Sequence, residues 1–174
     1  MPVILVDADS MMSRLRAIIL RRAVRENLRA VFVADRRLDD VLQAAREHTT
    51  ALRDPYRGKL DEKELRAIRS GIRMIVVPGG TNAADDRIAE LADEDSIVIS
   101  HDIPLLARVL EKGAAALDDR GHIYTKENIG ERLARRNVNS MLREMMVFEE
   151  RTRSQNLKSA ELFANAFDSV LRKK

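Results

Sequence analysis

The sequence contains no cysteine and no tryptophan, and these absences exclude several kinds of site. Without thiols the chain forms no disulfide, no cysteine-ligated zinc ribbon and no thiolate nucleophile. Aromatic residues make up only 3% of the chain, which leaves few rings on which nucleic-acid bases could stack. No apolar run is long enough to cross a bilayer, and no basic region precedes an apolar one at the N-terminus. We therefore expect a cytoplasmic protein that makes no contact with membranes.

The charge of the chain weakly favours an anionic partner. The net charge is +3, and most of the 31 basic residues are arginine, whose guanidinium binds phosphate through two parallel hydrogen bonds. The 28 acidic residues nearly balance them. We predict that any contact with RNA is made to the phosphate backbone. A solvated helix face with acidic partners is an equal alternative for each candidate arginine. These arginines are Arg14, Arg21, Arg22, Arg25, Arg36, Arg37, Arg57, Arg132, Arg135 and Arg136.

Short unbroken apolar runs rich in Val and Ile predict four strands that are covered on both faces. Apolar residues at helical spacing lie after the first strand, before the fourth strand, and again from Ile103 to Lys112. Gly113, which ends this last segment, is a typical helix C-terminal cap. Strands that alternate with helices predict an α/β fold with a mainly parallel sheet between layers of helices. The predicted strands are Val3–Val6, Ala30–Ala34, Met74–Val77 and Ile97–Ile99.

The length of 174 residues predicts a single domain. Residues 38–70 form an irregular, arginine-rich helical insertion around the loop "RDPYRGK". From Thr125 onward the pattern is helical only, and residues 137–174 are a helical extension with a polar break at 148–159. The oligomeric state is left open.

Acidic residues follow every predicted strand. Asp7 and Asp9 follow the first strand, Asp35 the second, "PGGTNAADD" the third and "SHD" the fourth. Ligand sites in parallel sheets lie beyond the carboxyl ends of the strands, so Asp7, Asp9, Asp85 or Asp86, and Asp102 are expected to converge. Carboxylates held close together repel one another unless a cation or proton compensates. An all-oxygen ligand set suits Mg²⁺ or Mn²⁺, which would support hydrolysis of phosphate esters.

Helix capping is the structural alternative for each of these acids. Asp9 or Ser10 is placed to cap the first helix, and Thr81 or Asn82 with a following acid resembles a capping box. Asp102 precedes a proline in the first turn of a predicted helix, which is typical of an N-cap. The two roles are compatible, because a capping aspartate retains an oxygen that can bind metal.

Residues 100–136, "SHDIPLLARVLEKGAAALDDRGHIYTKENIGERLARR", resemble the YaiI/YqxD family of uncharacterised bacterial proteins. The shared elements are the Asp-Ile-Pro-Leu motif and the later Lys-Gly-Ala, Arg-Gly and Tyr-Thr segments. The opening Val-Asp-Ala-Asp, the Ala-Asp-Asp-Arg-Ile segment at 84–88 and Phe-Ala-Asn at 163–165 also resemble the family. One departure is Met11-Met12, which stands where the family has Cys-Pro. The resemblance extends nearly end to end.

This resemblance implies a PIN-like fold of the NYN/PIN nuclease type. PIN nucleases carry an Asp after the first strand, one at the start of a later helix and one in a Thr-x-Asp turn. The corresponding positions in this sequence are Asp7, Asp85 and Asp102, which the resemblance implies are metal ligands, with Asp9 in a supporting role. Second-tier candidates are Asp86, Asn82, Ser100 and His101, the last of which is placed to relay a proton or touch substrate.

Three functions remain open at this point. The first is a Mg²⁺- or Mn²⁺-dependent, ribonuclease-like phosphodiester hydrolase. The second is a non-catalytic module that binds RNA or protein, in which the acids act only as caps. The third is a phosphatase with Asp7 as nucleophile and Asp9 as acid/base, because Asp-x-Asp after a first strand suits that chemistry. Met11 and the helical placement expected for Asp85 and Asp86 fit this last function poorly.

Overall fold

A computed structural model describes residues 1–9, 11–145 and 156–174, except for the side chains of 138–145 and 156–157. Its centre is a six-stranded sheet with the order β3-β2-β1-β4-β5-β6. The first five strands are parallel, and β6 is antiparallel to β5. The strands are β1 (Val3–Asp7), β2 (Arg29–Ala34), β3 (Ile72–Val76), β4 (Ser96–Ile99), β5 (Ala115–Leu117) and β6 (Ile123–Tyr124).

Helices cover both faces of the sheet, which confirms the predicted α/β architecture. One core cluster joins α1, α2 and α7 to the sheet, and the other joins α4, α5 and α6 to its opposite face. A 3₁₀ turn, Asp54–Tyr56, follows α2. Within the described part of the chain, no helix is both long and apolar enough to cross a membrane. The helices are α1 (Ser13–Glu26), α2 (Asp39–Arg53), α3 (Glu62–Ala67), α4 (Ala83–Leu91), α5 (Ile103–Glu111), α6 (Lys126–Met145) and α7 (Asn156–Leu171).

Two strands were not predicted from the sequence. β5 and β6 have three and two residues, too few to show a period, and they are defined by pairing with β4 and with each other. In the described part of the chain after Thr125, only helices are present, as predicted. Most of the predicted polar break, 148–155, lies outside the described residues, whereas residues 156–159 belong to α7.

The last helix is packed into the core. Phe163 and Phe167 of α7 are fully buried, and their rings stack with centroids 5.9 Å apart. The turn between β5 and β6 lies against the same helix at Gly121, which has a φ of +86°. A Cβ at this position would lie 2.6 Å from the Leu162 carbonyl oxygen. Glycine therefore satisfies both the left-handed backbone and the close approach of α7.

Candidate functional site

A polar cleft of about 210 Å³ lies at the carboxyl edge of the sheet. The ends of β1, β2, β3 and β4 and the starts of α4 and α5 meet there, because parallel strands deliver their carboxyl ends to one edge. The lining residues are Asp7, Asp9, Asp35, Val77, Pro78, Gly80, Asn82, Ala84, Asp85, His101 and Asp102.

Asp7 is the best-shielded acid of the cleft. It is the last residue of β1, which lies between β2 and β4, and it is 8% exposed. The Ser100 hydroxyl donates to Asp7 Oδ2 at 2.8 Å and accepts from the Asp102 backbone N–H at 2.9 Å. Burial raises the pKa of Asp7, and the hydrogen bond from Ser100 opposes this shift. Ser100 therefore orients Asp7 and connects it to the start of α5.

Asp9 holds the end of β2 in place. Its Oδ1 accepts from the Asp35 N–H at 2.7 Å, and its carbonyl oxygen accepts from Arg36 Nη2 at 3.1 Å. Burial and the nearby charges of Asp35 and Asp7 raise the pKa of Asp9. The predicted alternative that Asp9 caps α1 is wrong, because the N-cap is Met12 and has no side-chain cap bond. Ser10, the other capping candidate, lies outside the described residues.

Among the carboxyl groups of the cleft, Asp85 has the pKa that is shifted furthest from its ordinary value. It lies in the first turn of α4, where burial and repulsion from Asp102 and Asp7 raise its pKa to about 6. The predicted capping box at this helix is wrong. Asn82 is the N-cap, but it has a left-handed φ of 68° and makes no side-chain cap bond. Asp7, Asp85 and Asp102 therefore lie close enough to repel one another when all three are ionised.

Asp102 acts as a helix cap and also lines the cleft. Its Oδ1 accepts from the Leu105 N–H at 3.0 Å, as expected for an N-cap before Pro104. This bond confirms the predicted cap. A carboxylate has two oxygens, so one hydrogen bond leaves acceptor capacity for another ligand.

Of the second-tier candidates, Asn82 and His101 line the cleft, Ser100 bonds Asp7, and Asp86 lies outside it. Asp86 is exposed and pairs with Arg108 at 2.8 Å. Asp35 lines the cleft and was missed as a site residue. Its position directly after the second predicted strand was the available signal.

The carboxylates are not assembled as a coordination shell. Within the described ranges, no group of three or more His, Asp or Glu side chains is arranged closely enough to hold a metal ion. The donor set nevertheless has the chemistry of a hard-cation site, since carboxylate oxygens are preferred ligands of Mg²⁺ and Mn²⁺. A bound cation would offset the burial and the repulsion that together raise the pKa of Asp85.

Several candidate arginines are occupied by acidic partners. Arg22 pairs with Asp168 and Glu26, Arg25 with Glu26, Arg36 with Asp35, Arg57 with Asp54, and Arg135 with Glu131. Four other candidate arginines have no carboxylate within 4 Å among the described side chains. They are Arg21, Arg37, Arg132 and Arg136. Arg14 Nε and Nη2 are buried without a hydrogen-bond partner in the described structure.

The raised pKa of Asp85 predicts a pH-dependent effect of Asp85→Asn. Folding raises this pKa above that of an unfolded carboxyl, so the associated stability is complete below about pH 4 and is lost as the pH rises through about 6. In EDTA at pH 8, Asp85→Asn should be more stable by about 1–2 kcal/mol, because the repelled charge is gone. Near pH 4 the gain should shrink. Urea unfolding of wild type and Asp85→Asn at each pH measures the gain in stability.

Asp86→Asn is the matched control, since it removes a charge from the same helical turn but outside the cleft. It removes an exposed pair with Arg108 and the smallest of the repulsions on Asp85, so it should change stability by no more than about 1 kcal/mol. Equal effects of the two substitutions at pH 8 would contradict repulsion within the cleft.

Comparisons with known proteins agree with the sequence resemblance. Residues 60–173 match a family model described as "Uncharacterized BCR, YaiI/YqxD family". A UPF0178 protein of Citrifermentans bemidjiense is 45% identical over 108 residues, which are 62% of this chain and 70% of that protein. A UPF0178 protein of Ectopseudomonas mendocina is 43% identical over 100 residues, 58% of this chain and 67% of the relative. No solved structure gives a significant match. The names of this family and of these relatives state no activity.

Proposed function

The chain belongs to the YaiI/YqxD family of uncharacterised proteins, and we propose that it is a Mg²⁺- or Mn²⁺-dependent hydrolase of RNA phosphodiesters. One observation carries this proposal. Asp7, Asp9, Asp85 and Asp102, which lie as far as 95 positions apart in the sequence numbering, line one cleft, where Asp7 and Asp102 repel Asp85 and Asp7 repels Asp9. The Arg108 charge opposes this repulsion but leaves the pKa of Asp85 raised, so a further, cationic ligand is the simplest reason for such an arrangement. The resemblance to PIN nucleases supports the same assignment.

The residues of the cleft have separate roles in this proposal. Asp7, Asp85 and Asp102 would hold the cation, and Asp9 would orient the attacking water. A bound Mg²⁺ or Mn²⁺ would lower the pKa of water and offset charge on the leaving oxygen. The hydrogen bond from Ser100 keeps Asp7 directed at the cleft. Arginines without acidic partners would contact the RNA phosphates, because so few aromatic residues are present for stacking.

A second candidate is a non-catalytic RNA-binding module. It is favoured by the hydrogen bonds of two cleft acids, because Asp102 caps α5 and Asp9 binds the Asp35 N–H. Both acids thus have structural roles that need no metal. A phosphatase fits less well, because Asp85 and Asp86 lie in the first turn of α4 rather than at the close of a strand.

RNA cleavage separates the two candidates. End-labelled single-stranded RNA incubated with the protein and Mn²⁺ should give shorter products, and EDTA should abolish them. Asp7→Asn should lower the rate by about a hundredfold or more, as expected for loss of an electrostatic contact to the reacting centre. Asp86→Asn, outside the cleft, should keep the activity. Cleavage that survives Asp7→Asn would contradict the assignment.

The binding module predicts a different result in the same experiment. RNA would be bound in EDTA, with an affinity that falls as salt rises, and would remain intact with Mn²⁺. Affinity that is unchanged between low and high salt would contradict contact through phosphates in either case.

A further inference from the structure

The outer edge of β3 has unused backbone hydrogen-bonding groups. β3 is the last strand of the sheet, with β2 on one side and, among the described residues, no strand on the other. Such an edge is a template for a further strand, and proteins usually block it when it serves no purpose. The residues of β3 are Ile72, Arg73, Met74, Ile75 and Val76.

The register of β3 shows which groups face outward. The Ala30 N–H donates to the Gly71 carbonyl, and the Val77 N–H donates to the Ala34 carbonyl. Because the N–H and C=O of one residue point to the same side of a strand, the odd-numbered residues of β3 bond β2. The even-numbered residues Ile72, Met74 and Val76 therefore direct their N–H and C=O groups away from the sheet.

The free part of this edge is short and has definite limits. At one end the Ile72 N–H is already bonded by the Ser70 hydroxyl, which accepts at 3.0 Å. At the other end Pro78 follows Val77 and has no N–H to donate. Of the residues of β3, Met74 and Val76 thus present both an N–H and a C=O that no described residue binds.

We propose that β3 pairs antiparallel with β3 of a second copy of this chain, centred on Ile75. In this register Met74 lies opposite Val76 of the second copy, and Val76 lies opposite its Met74. In an antiparallel hydrogen-bonded pair, each residue donates its N–H to the other and accepts at its C=O. These two pairs therefore use the N–H and C=O groups of both Met74 and Val76 in each copy. Centring on Met74 would give only one complete pair, because the Ile72 N–H is taken by Ser70.

The side chains of β3 suit this pairing. Val76 is 50% exposed, and Met74 and Ile75 are only partly buried, so a second strand would cover apolar surface that is now exposed to water. The exposed Arg73 lies opposite Val77 of the second copy, which separates the two like charges. The two sheets then become continuous across a twofold axis, a closed arrangement that stops at the dimer.

Val76→Pro tests the pairing without disturbing the sheet. It removes an outward N–H, and proline is tolerated on an edge strand when the lost donor faces solvent. Sedimentation should give wild type twice the chain mass of 19.7 kDa and Val76→Pro a folded monomer. Val76→Ala keeps the N–H and should remain a dimer. A monomeric wild type, or a Val76→Pro dimer, would overturn the proposal.

A single cysteine tests the register, since the chain contains none. Ile75 would face its own copy in a non-hydrogen-bonded pair with Cα atoms about 4.5 Å apart, within disulfide reach. Oxidised Ile75→Cys should therefore form a covalent dimer. Arg73→Cys, on the same face of the strand, should remain uncrosslinked because its two copies lie about 13 Å apart. A dimer in which Ile75→Cys does not crosslink would refute the pairing at Ile75.

Discussion

Asp102→Asn should leave the metal-free protein as stable as wild type or more stable, and should abolish most of the stabilisation by Mn²⁺. Asparagine caps helices about as well as aspartate, so the bond to the Leu105 N–H can be kept. The substitution also removes a charge that repels Asp85 and Asp7, and this is why the metal-free protein should lose no stability. The same change deletes a charged ligand from the proposed cation site.

The stabilisation of the folded protein by Mn²⁺ can be calculated from mass action. Stabilisation by a ligand that binds only the folded state is RT ln(1 + [M]/Kd), about 2.7 kcal/mol when Mn²⁺ is at a hundredfold excess over Kd. Thermal melts of wild type and Asp102→Asn, each in EDTA and in Mn²⁺, measure it directly. Wild type should respond to Mn²⁺, and the variant should respond little.

Asp61→Asn is the matched control for this experiment. Asp61 caps α3 through the Glu64 N–H at 2.8 Å, and it does not line the cleft. Its substitution should leave the response to Mn²⁺ intact. If wild type itself shows no response to Mn²⁺, the hydrolase proposal fails and the non-catalytic module takes its place.

Phe163→Ala should destabilise the protein by about 3–5 kcal/mol. Phe163 is fully buried, stacks on Phe167, and belongs to the core cluster shared by α1, α2 and the sheet. Removing the ring leaves a cavity that neighbouring groups fill only partly, so the cost includes both lost burial and lost packing. Urea unfolding measures the loss as a lower midpoint.

Leu162→Ala is the adjacent control on the same helix. Leu162 is 59% exposed, so its substitution should change the free energy of unfolding by less than about 0.5 kcal/mol. If Phe163→Ala cost no more than Leu162→Ala, α7 would not be docked on the sheet in solution. A large difference would show that the C-terminal extension is part of the core.

The first four strands and the gathering of acids were predictable from the sequence. Unbroken Val- and Ile-rich runs are required wherever a strand is covered on both faces, and β1, β2 and β4 are almost wholly buried. Because parallel strands place their carboxyl ends at one edge, Asp7, Asp102 and either Asp85 or Asp86 could be assigned to one cleft before any coordinates, and the family resemblance selected Asp85. The cap at Asp102 followed from Pro104 in the first turn.

Other features depended on contacts between distant segments. β5 and β6 are too short to carry a period, and they exist because β4 offers them a partner. The role of Asp9 is set by the Asp35 N–H, which lies 26 residues away along the chain. The choice of Asp85 over Asp86 depends on the rotation of α4, which directs one carboxylate into the cleft and the other toward Arg108.

The sequence by itself determined the first four strands and the edge at which the acids meet, because periodicity and strand polarity are local properties of the chain. Only the tertiary structure decided which acids lie close enough to repel one another, and that no strand among the described residues pairs with the outer edge of β3. Hydrogen bonds act over about 3 Å and Coulomb interactions over about 10 Å at ordinary salt, between residues that no local pattern connects. The raised pKa of Asp85 and the open groups of Met74 and Val76 are properties of that packing.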